Sequence, residues 1–152
     1  MKNKGLVPSV VEGFTLIEIL VVITIIALLA TIGIGSYSTV TKLSADSRRK
    51  ADLEDIRAAL EMYKANNGSY PKSPASPPTS DTIFQDAASN IYMQKVPKDP
   101  KSPTYIYVIN VAVDGTTYTL GTYIENEATS GNVCGVCGST NCNYCLTPYG
   151  RK

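Results

Sequence analysis

FTLIEILVVITIIALLATIGI, residues Phe14 to Ile34, carries one charge, Glu18. Roughly twenty apolar residues rising 1.5 Å each make a helix of about 30 Å, the thickness of a bilayer core. Lys2 and Lys4 precede the run and polar sequence begins at Ser36. That asymmetry predicts a single-pass helix with a cytoplasmic N-terminus and the rest of the chain facing outward. The run is too long for a signal-peptide core of roughly 7–15 residues. Glu18 is the anomaly. An ionised side chain there costs about 2 kcal/mol or more unless it is paired. The flanking cations, Lys4 and Lys42, are both distant in sequence. A cut before Phe14 would supply one: a new α-amino group, with a pKa of about 8, at helical spacing from Glu18.

Gly13-Phe14-Thr15-Leu16-Ile17-Glu18 followed by an apolar helix resembles the processing site of type IV pilins and type II secretion pseudopilins. The resemblance implies a hydrophilic leader, residues 1–13, removed by an aspartyl prepilin peptidase between Gly13 and Phe14. It implies N-methylation of Phe14, and pairing of Glu18 with the N-terminal amine of an adjacent subunit. The implied partners are copies of the chain or other pilins, the peptidase, an inner-membrane assembly platform, and the membrane before assembly. The implied location is the cytoplasmic membrane, then a cell-surface or periplasmic filament. Two features depart from the family pattern. Glu12 stands where leaders are often basic, and Gly35 stands where many members have Pro. Gly33 and Gly35 each weaken a helix interior by about 1 kcal/mol, so 33–36 is the expected soft point.

Beyond the apolar half (14–35), residues 36–67 stay helical but become amphipathic. Leu53, Ile56, Leu60 and Tyr63 form one stripe, with Arg48, Arg49, Asp52, Asp55, Glu61 and Lys64 on the other faces. No Pro interrupts Phe14–Asn67, and Asn66-Asn67-Gly68 with Pro71 stops the helix. The stripe needs cover from a head, residues 68–152. The apolar half needs lipid or other copies of itself. In the head, the Pro- and Ser-rich 68–80 reads as a loop. Residues 81–95 read as a short helix capped by Ser80 or Asp81, with Ile83, Phe84, Ala87, Ile91 and Tyr92 facing inward. Residues 104–112 and 116–125 read as a hairpin about Asp114-Gly115, with Tyr105, Tyr107 and Ile109 on one face. The fold class expected is α+β: a long N-terminal helix packed on a small antiparallel sheet, which is also what the resemblance implies.

The chain has 152 residues and a net charge of +1, which leaves no electrostatic footprint for nucleic acid. It contains no His, which excludes a His base, a His zinc ligand and a Ser-His-Asp triad. No enzyme and no cofactor is implied. Pseudopilins often bind calcium near their C-terminus, but the stretch from Glu125 offers few carboxylates. Four Cys, at 134, 137, 142 and 145, close the sequence. Outside the cell an even Cys count favours disulfides, and a nested pairing would suit a small loop turning at Ser139-Thr140. An all-thiolate zinc site and free thiols are the competing readings. The function expected is a structural filament subunit. The alternative is a membrane-tethered binding module with a disulfide- or zinc-stapled knob.

Overall fold

The computed structural model describes residues 13–72, 78–127 and 134–152, and of 32–36 the backbone alone. Most of the leader, the centre of the Pro-rich loop and the 128–133 segment lie outside the described residues. Two compact units divide the chain, Met1–Thr39 and Val40–Lys152. Helix α1, Leu16–Asn67, contributes to both and runs 52 residues without a break, through Gly33 and Gly35.

In the first unit the apolar side chains of α1 are exposed, from Leu16 through Leu29. Among the described residues, whose side chains in this stretch end at Thr31, no helix is long and apolar enough to cross a membrane.

In the second unit α1 covers a four-stranded antiparallel sheet. Its strands are β3 (Val108–Val111), β4 (Tyr118–Thr122), β5 (Tyr144–Thr147) and β6 (Gly150–Arg151), in that spatial order. A separate two-stranded ribbon joins β1 (Phe84–Gln85) to β2 (Ile91–Met93). The core gathers Leu53, Ile56 and Leu60 from α1, Phe84 and Tyr92 from the ribbon, and Tyr118, Leu120 and Leu146 from the sheet. Each of these helix side chains contributes about 1.5–3 kcal/mol by leaving water. The helix ends as expected. Gly68 takes φ +77°, and its N–H donates to Lys64 O at 2.7 Å, a left-handed cap that favours glycine.

The β3–β4 hairpin pairs Val111 with Tyr118 and closes through Ala112 and Thr117, with Gly115 at φ +69°. The turn is wider than a two-residue loop. Gly115 O accepts the Tyr70 N–H at 2.9 Å, and a Cβ at Gly115 would lie 2.8 Å from Tyr70 O. Glycine is therefore required here by close backbone approach as well as by φ.

The expected helix over 81–95 is instead the β1–β2 ribbon. The Asp86 carboxylate accepts the N–H groups of Ala88 and Asn90, the Asn90 amide and the Tyr92 hydroxyl. Side-chain bonds of this kind offer the backbone an alternative to the helix. Asp81 and Ser89 both take positive φ. Asp81 is no helix cap but pairs with Lys95 and Lys98. Of the five residues expected inward, Phe84 and Tyr92 are buried, while Ile83, Ala87 and Ile91 are exposed.

The Cys-rich end also differs from a plain loop, because β5 inserts beside β4 and sends Tyr144 and Leu146 into the core. The cysteines are paired Cys134–Cys145 and Cys137–Cys142, the nested arrangement. Sulfurs so bonded have no thiolate to offer zinc. The small loop closes with Cys142 N–H to Gly135 O at 3.0 Å and Cys137 N–H to Thr140 O at 2.7 Å. A Cβ on Gly121 of β4 would lie 2.9 Å from Cys134 Sγ and 3.0 Å from Cys142 Sγ. One sulfur of each disulfide thus rests on that glycine and covers the sheet there.

Candidate assembly site and the anchoring of the head

Thr15 stands just before α1 and Glu18 lies in its first turn. One Glu18 carboxylate oxygen accepts the Thr15 backbone N–H at 2.8 Å and the Thr15 hydroxyl at 2.9 Å. The Glu18 N–H in turn donates to Thr15 Oγ1 at 3.3 Å. This reciprocal capping box satisfies orphan donors at the helix start. Sequence reasoning sought a cation for Glu18 and overlooked this arrangement, although Thr-x-x-Glu at 15–18 is its signature. The carboxylate is exposed, so a cation brought by another molecule can reach it.

Phe14 is 84% exposed. A Cβ placed on Gly13 would meet nothing within 4 Å. Packing among the described residues therefore does not demand glycine at 13 or an aromatic ring at 14. Gly13, Phe14 and Glu18 fall within one helical turn of the start of α1. Gly33 and Gly35 lie further along it, and the four cysteines belong to the other unit.

The second unit holds a charged centre on the line of the apolar stripe. Arg49, expected on a polar face, is fully buried. Its Nε and Nη2 donate to Asp99 at 2.8 and 3.2 Å, and its Nη1 to Asp46 at 2.8 Å and Glu125 at 3.1 Å. Asp46 also accepts the backbone N–H groups of Glu125 and Asn126. Burial opposes ionisation of Asp46. The two backbone donors, the Asn126 amide and Arg49 outweigh it and hold the carboxyl below its usual range. Glu125 is also held low: burial works against it, and Lys101 and Arg49 prevail. Burial disfavours the Arg49 cation, but Asp99, Glu125 and Asp46 more than offset this and raise its pKa.

Other acids expected to be solvated serve as acceptors at the helix edge. Asp52 accepts the Tyr107 hydroxyl at 2.6 Å, and Glu61 accepts those of Tyr70 and Tyr118 at 2.8 and 2.9 Å. Three tyrosines can therefore bury their rings and still satisfy their hydroxyls. Further along, Glu127 bridges Lys50 of α1 and Arg151 of β6, and both cations lie over the Tyr144 ring.

An exposed apolar helix with a capped acidic start, continued by an amphipathic half under a small antiparallel sheet, defines a structural subunit of the pilin and pseudopilin class. The chain belongs to the type II secretion system (T2SS) protein G family, whose model matches residues 38–133. The prokaryotic N-terminal methylation motif matches residues 9–34. The four cysteines lie past both matches. The chain is 32% identical over 103 residues to type II secretion system core protein G of Pseudomonas aeruginosa, covering 64% of this chain and 72% of that one. It is 30% identical over 103 residues to the core protein G of Escherichia coli K12, covering 64% and 71%. Over 65 residues it is 42% identical to the type IV wide pilus major component PilA4 of Thermus thermophilus, covering 43% and 50%. No solved structure matches the chain.

Proposed function

We propose that this chain is the precursor of a pseudopilus subunit of type II secretion, with no catalytic role of its own. It enters the cytoplasmic membrane through its single apolar helix, N-terminus inside. Prepilin peptidase cuts between Gly13 and Phe14, Phe14 is methylated, and an inner-membrane platform adds the subunit to a periplasmic or surface filament of like chains. The observation that carries this reading is the exposed Glu18 carboxylate at the head of a bare apolar helix. Leaving lipid requires neighbours that cover the apolar surface. A carboxylate in that setting requires a cation, and cleavage creates one on Phe14. The capping box holds Glu18 until the neighbour's amine replaces the Thr15 donors. Gly33 and Gly35 are where the helix would soften as the subunit joins the filament.

Mass spectrometry of the chain isolated from its cells tests the proposal. A mature N-terminus at Phe14, with a methyl group, is expected, and Gly13→Ala should accumulate the longer precursor. A chain that keeps Met1 and stays monomeric overturns the reading and leaves a membrane-tethered module instead.

A further inference from the structure

The sheet of the head has two faces. Leu120 and Leu146 are partners across β4 and β5, and both point into the core with α1. Alternation along the strands turns the next row, Val108, Gly121 and Cys145, to the other face. Residues 134–142 lie against that row. A Cβ on Gly135 would lie 3.1 Å from Val108 Cγ1. One on Gly138 would collide with the Thr104 carbonyl oxygen, which accepts the Ser139 N–H at 3.0 Å. With the sulfurs of Cys134 and Cys142 at Gly121, the cystine loop forms a third layer, packed on the face turned away from α1.

The two disulfides are placed differently in this layer. Cys137–Cys142 lies wholly inside the loop, beside the backbone bonds from Cys142 to Gly135 and from Cys137 to Thr140. It closes the loop on itself. Cys134–Cys145 instead fastens the loop's entry to β5, at the residue paired with Gly121 of β4. Burial separates them too. Cys137 is 0% exposed and Cys142 and Cys145 are 1% exposed, whereas Cys134 is half-buried. Thiol–disulfide exchange depends on which sulfur an incoming thiolate can reach, and of the four residues Cys134 is the one open to solvent. Reaching Cys137 or Cys142 requires the loop to lift, and the bond to β5 holds its entry down.

We propose that Cys134–Cys145 is a redox latch, opened and closed by thiol–disulfide exchange at Cys134 while Cys137–Cys142 stays shut. The co-reactant that opens it is a dithiol reductant. One of its thiolates attacks Cys134 Sγ and forms a mixed disulfide, and Cys145 leaves as a thiolate that takes up a proton. The second thiolate of the reductant then attacks its own sulfur in the mixed disulfide, and Cys134 leaves and is protonated in turn. Two electrons have passed to the protein, which holds two thiols, and the reductant has become a disulfide. A disulfide oxidant runs the same steps backwards, and the inner bond, still shut, keeps the loop shaped for reclosure. In an oxidising setting the latch is closed. Its opening sets how firmly the third layer is held on the sheet as the surrounding thiol level rises. The proposal does not depend on the filament reading.

The test uses the full-length chain in detergent micelles, treated with dithiothreitol well below its melting temperature, then alkylated and mapped by mass spectrometry. The first reduced species should carry two labels, at Cys134 and Cys145, formed at least about tenfold faster than labels at Cys137 and Cys142. In that species the amides of Ser139 and Cys142 should exchange with solvent faster, while those of Leu53 to Leu60 keep their rates. Oxidised glutathione, added to unlabelled reduced chain, should restore Cys134–Cys145 without mispaired isomers. The double variant Cys134→Ser, Cys145→Ser should melt about 10 °C lower than the oxidised chain. First labels at Cys137 and Cys142, equal labelling of all four, no labelling until the head melts, or an unchanged melting temperature in the double variant would each overturn the latch. Should the double variant fail to fold, the labelling of the unmutated chain still decides.

Discussion

Leu20 and Leu60 lie on one unbroken helix, yet Leu20 is 50% exposed and Leu60 is wholly buried. Backbone geometry is common to both regions, so the difference lies in what surrounds each. Around Leu60 the chain supplies its own cover, from the ribbon and the sheet. Around Leu20 the described residues supply none, and in the proposed function lipid or neighbouring copies provide it. One helix therefore serves folding in its second half and, in the proposed filament, assembly in its first.

The largest effect should come from Glu18→Ala, which removes the proposed counter-charge to the neighbouring amine. Filaments should be lost in electron micrographs while the melting temperature of the head stays put. Normal filaments from this variant would break the division of labour at its assembly end.

Arg49→Ala should do the reverse and unfold the head. It strands Asp46, Asp99 and Glu125 around a vacancy in a buried site, and breaking such a cluster costs about 3–5 kcal/mol. Urea unfolding measures this, and a loss below about 1 kcal/mol would show that the three acids do not depend on Arg49.

The pair Leu60→Ala and Leu20→Ala sharpens the comparison directly. The first should cost the head about 2–5 kcal/mol through lost burial and a residual cavity. The second should change head stability by no more than about 0.5 kcal/mol. Equal effects in thermal melts would mean that the two halves are not distinct.

The smallest effect expected is with pH. Asp46 and Glu125 have carboxyls held below their ordinary values. Their contribution is fully present above the unfolded pKa values, about 4. It is lost as pH falls through the lower folded values, because the unfolded chain then binds more protons. Head stability should be flat from neutral pH to about 5 and decline below 4. Arg49→Met, which removes the partner cation, should flatten that decline in acid titrations followed by circular dichroism.

Much of this was legible along the chain. The helix stop at Gly68, the Leu53–Ile56–Leu60 stripe and the hairpin about Asp114-Gly115 depend on neighbours a few residues apart, and local rules reach that far. The capping box was equally local and was missed only because Glu18 was read as an acid in need of a cation. Arg49 is different. Its spacing from Leu53 and Ile56 puts it on the line of the apolar stripe, but the partners that let a charge sit there, Asp99 and Glu125, lie 50 and 76 residues away. The ribbon at 84–93 was obscured for another reason. Its apolar spacing suits a short helix as well as two short strands, and the Asp86 turn decided between them.

By itself the sequence determined the long helix, its division into apolar and amphipathic halves, and the charge at Glu18, because periodicity and hydropathy are properties of adjacent residues. Only the tertiary structure decided that Arg49 is buried, that β5 enters the sheet, and that both disulfides rest on Gly121. Each of these depends on groups distant in sequence, whose charges and surfaces are matched only after the chain has folded.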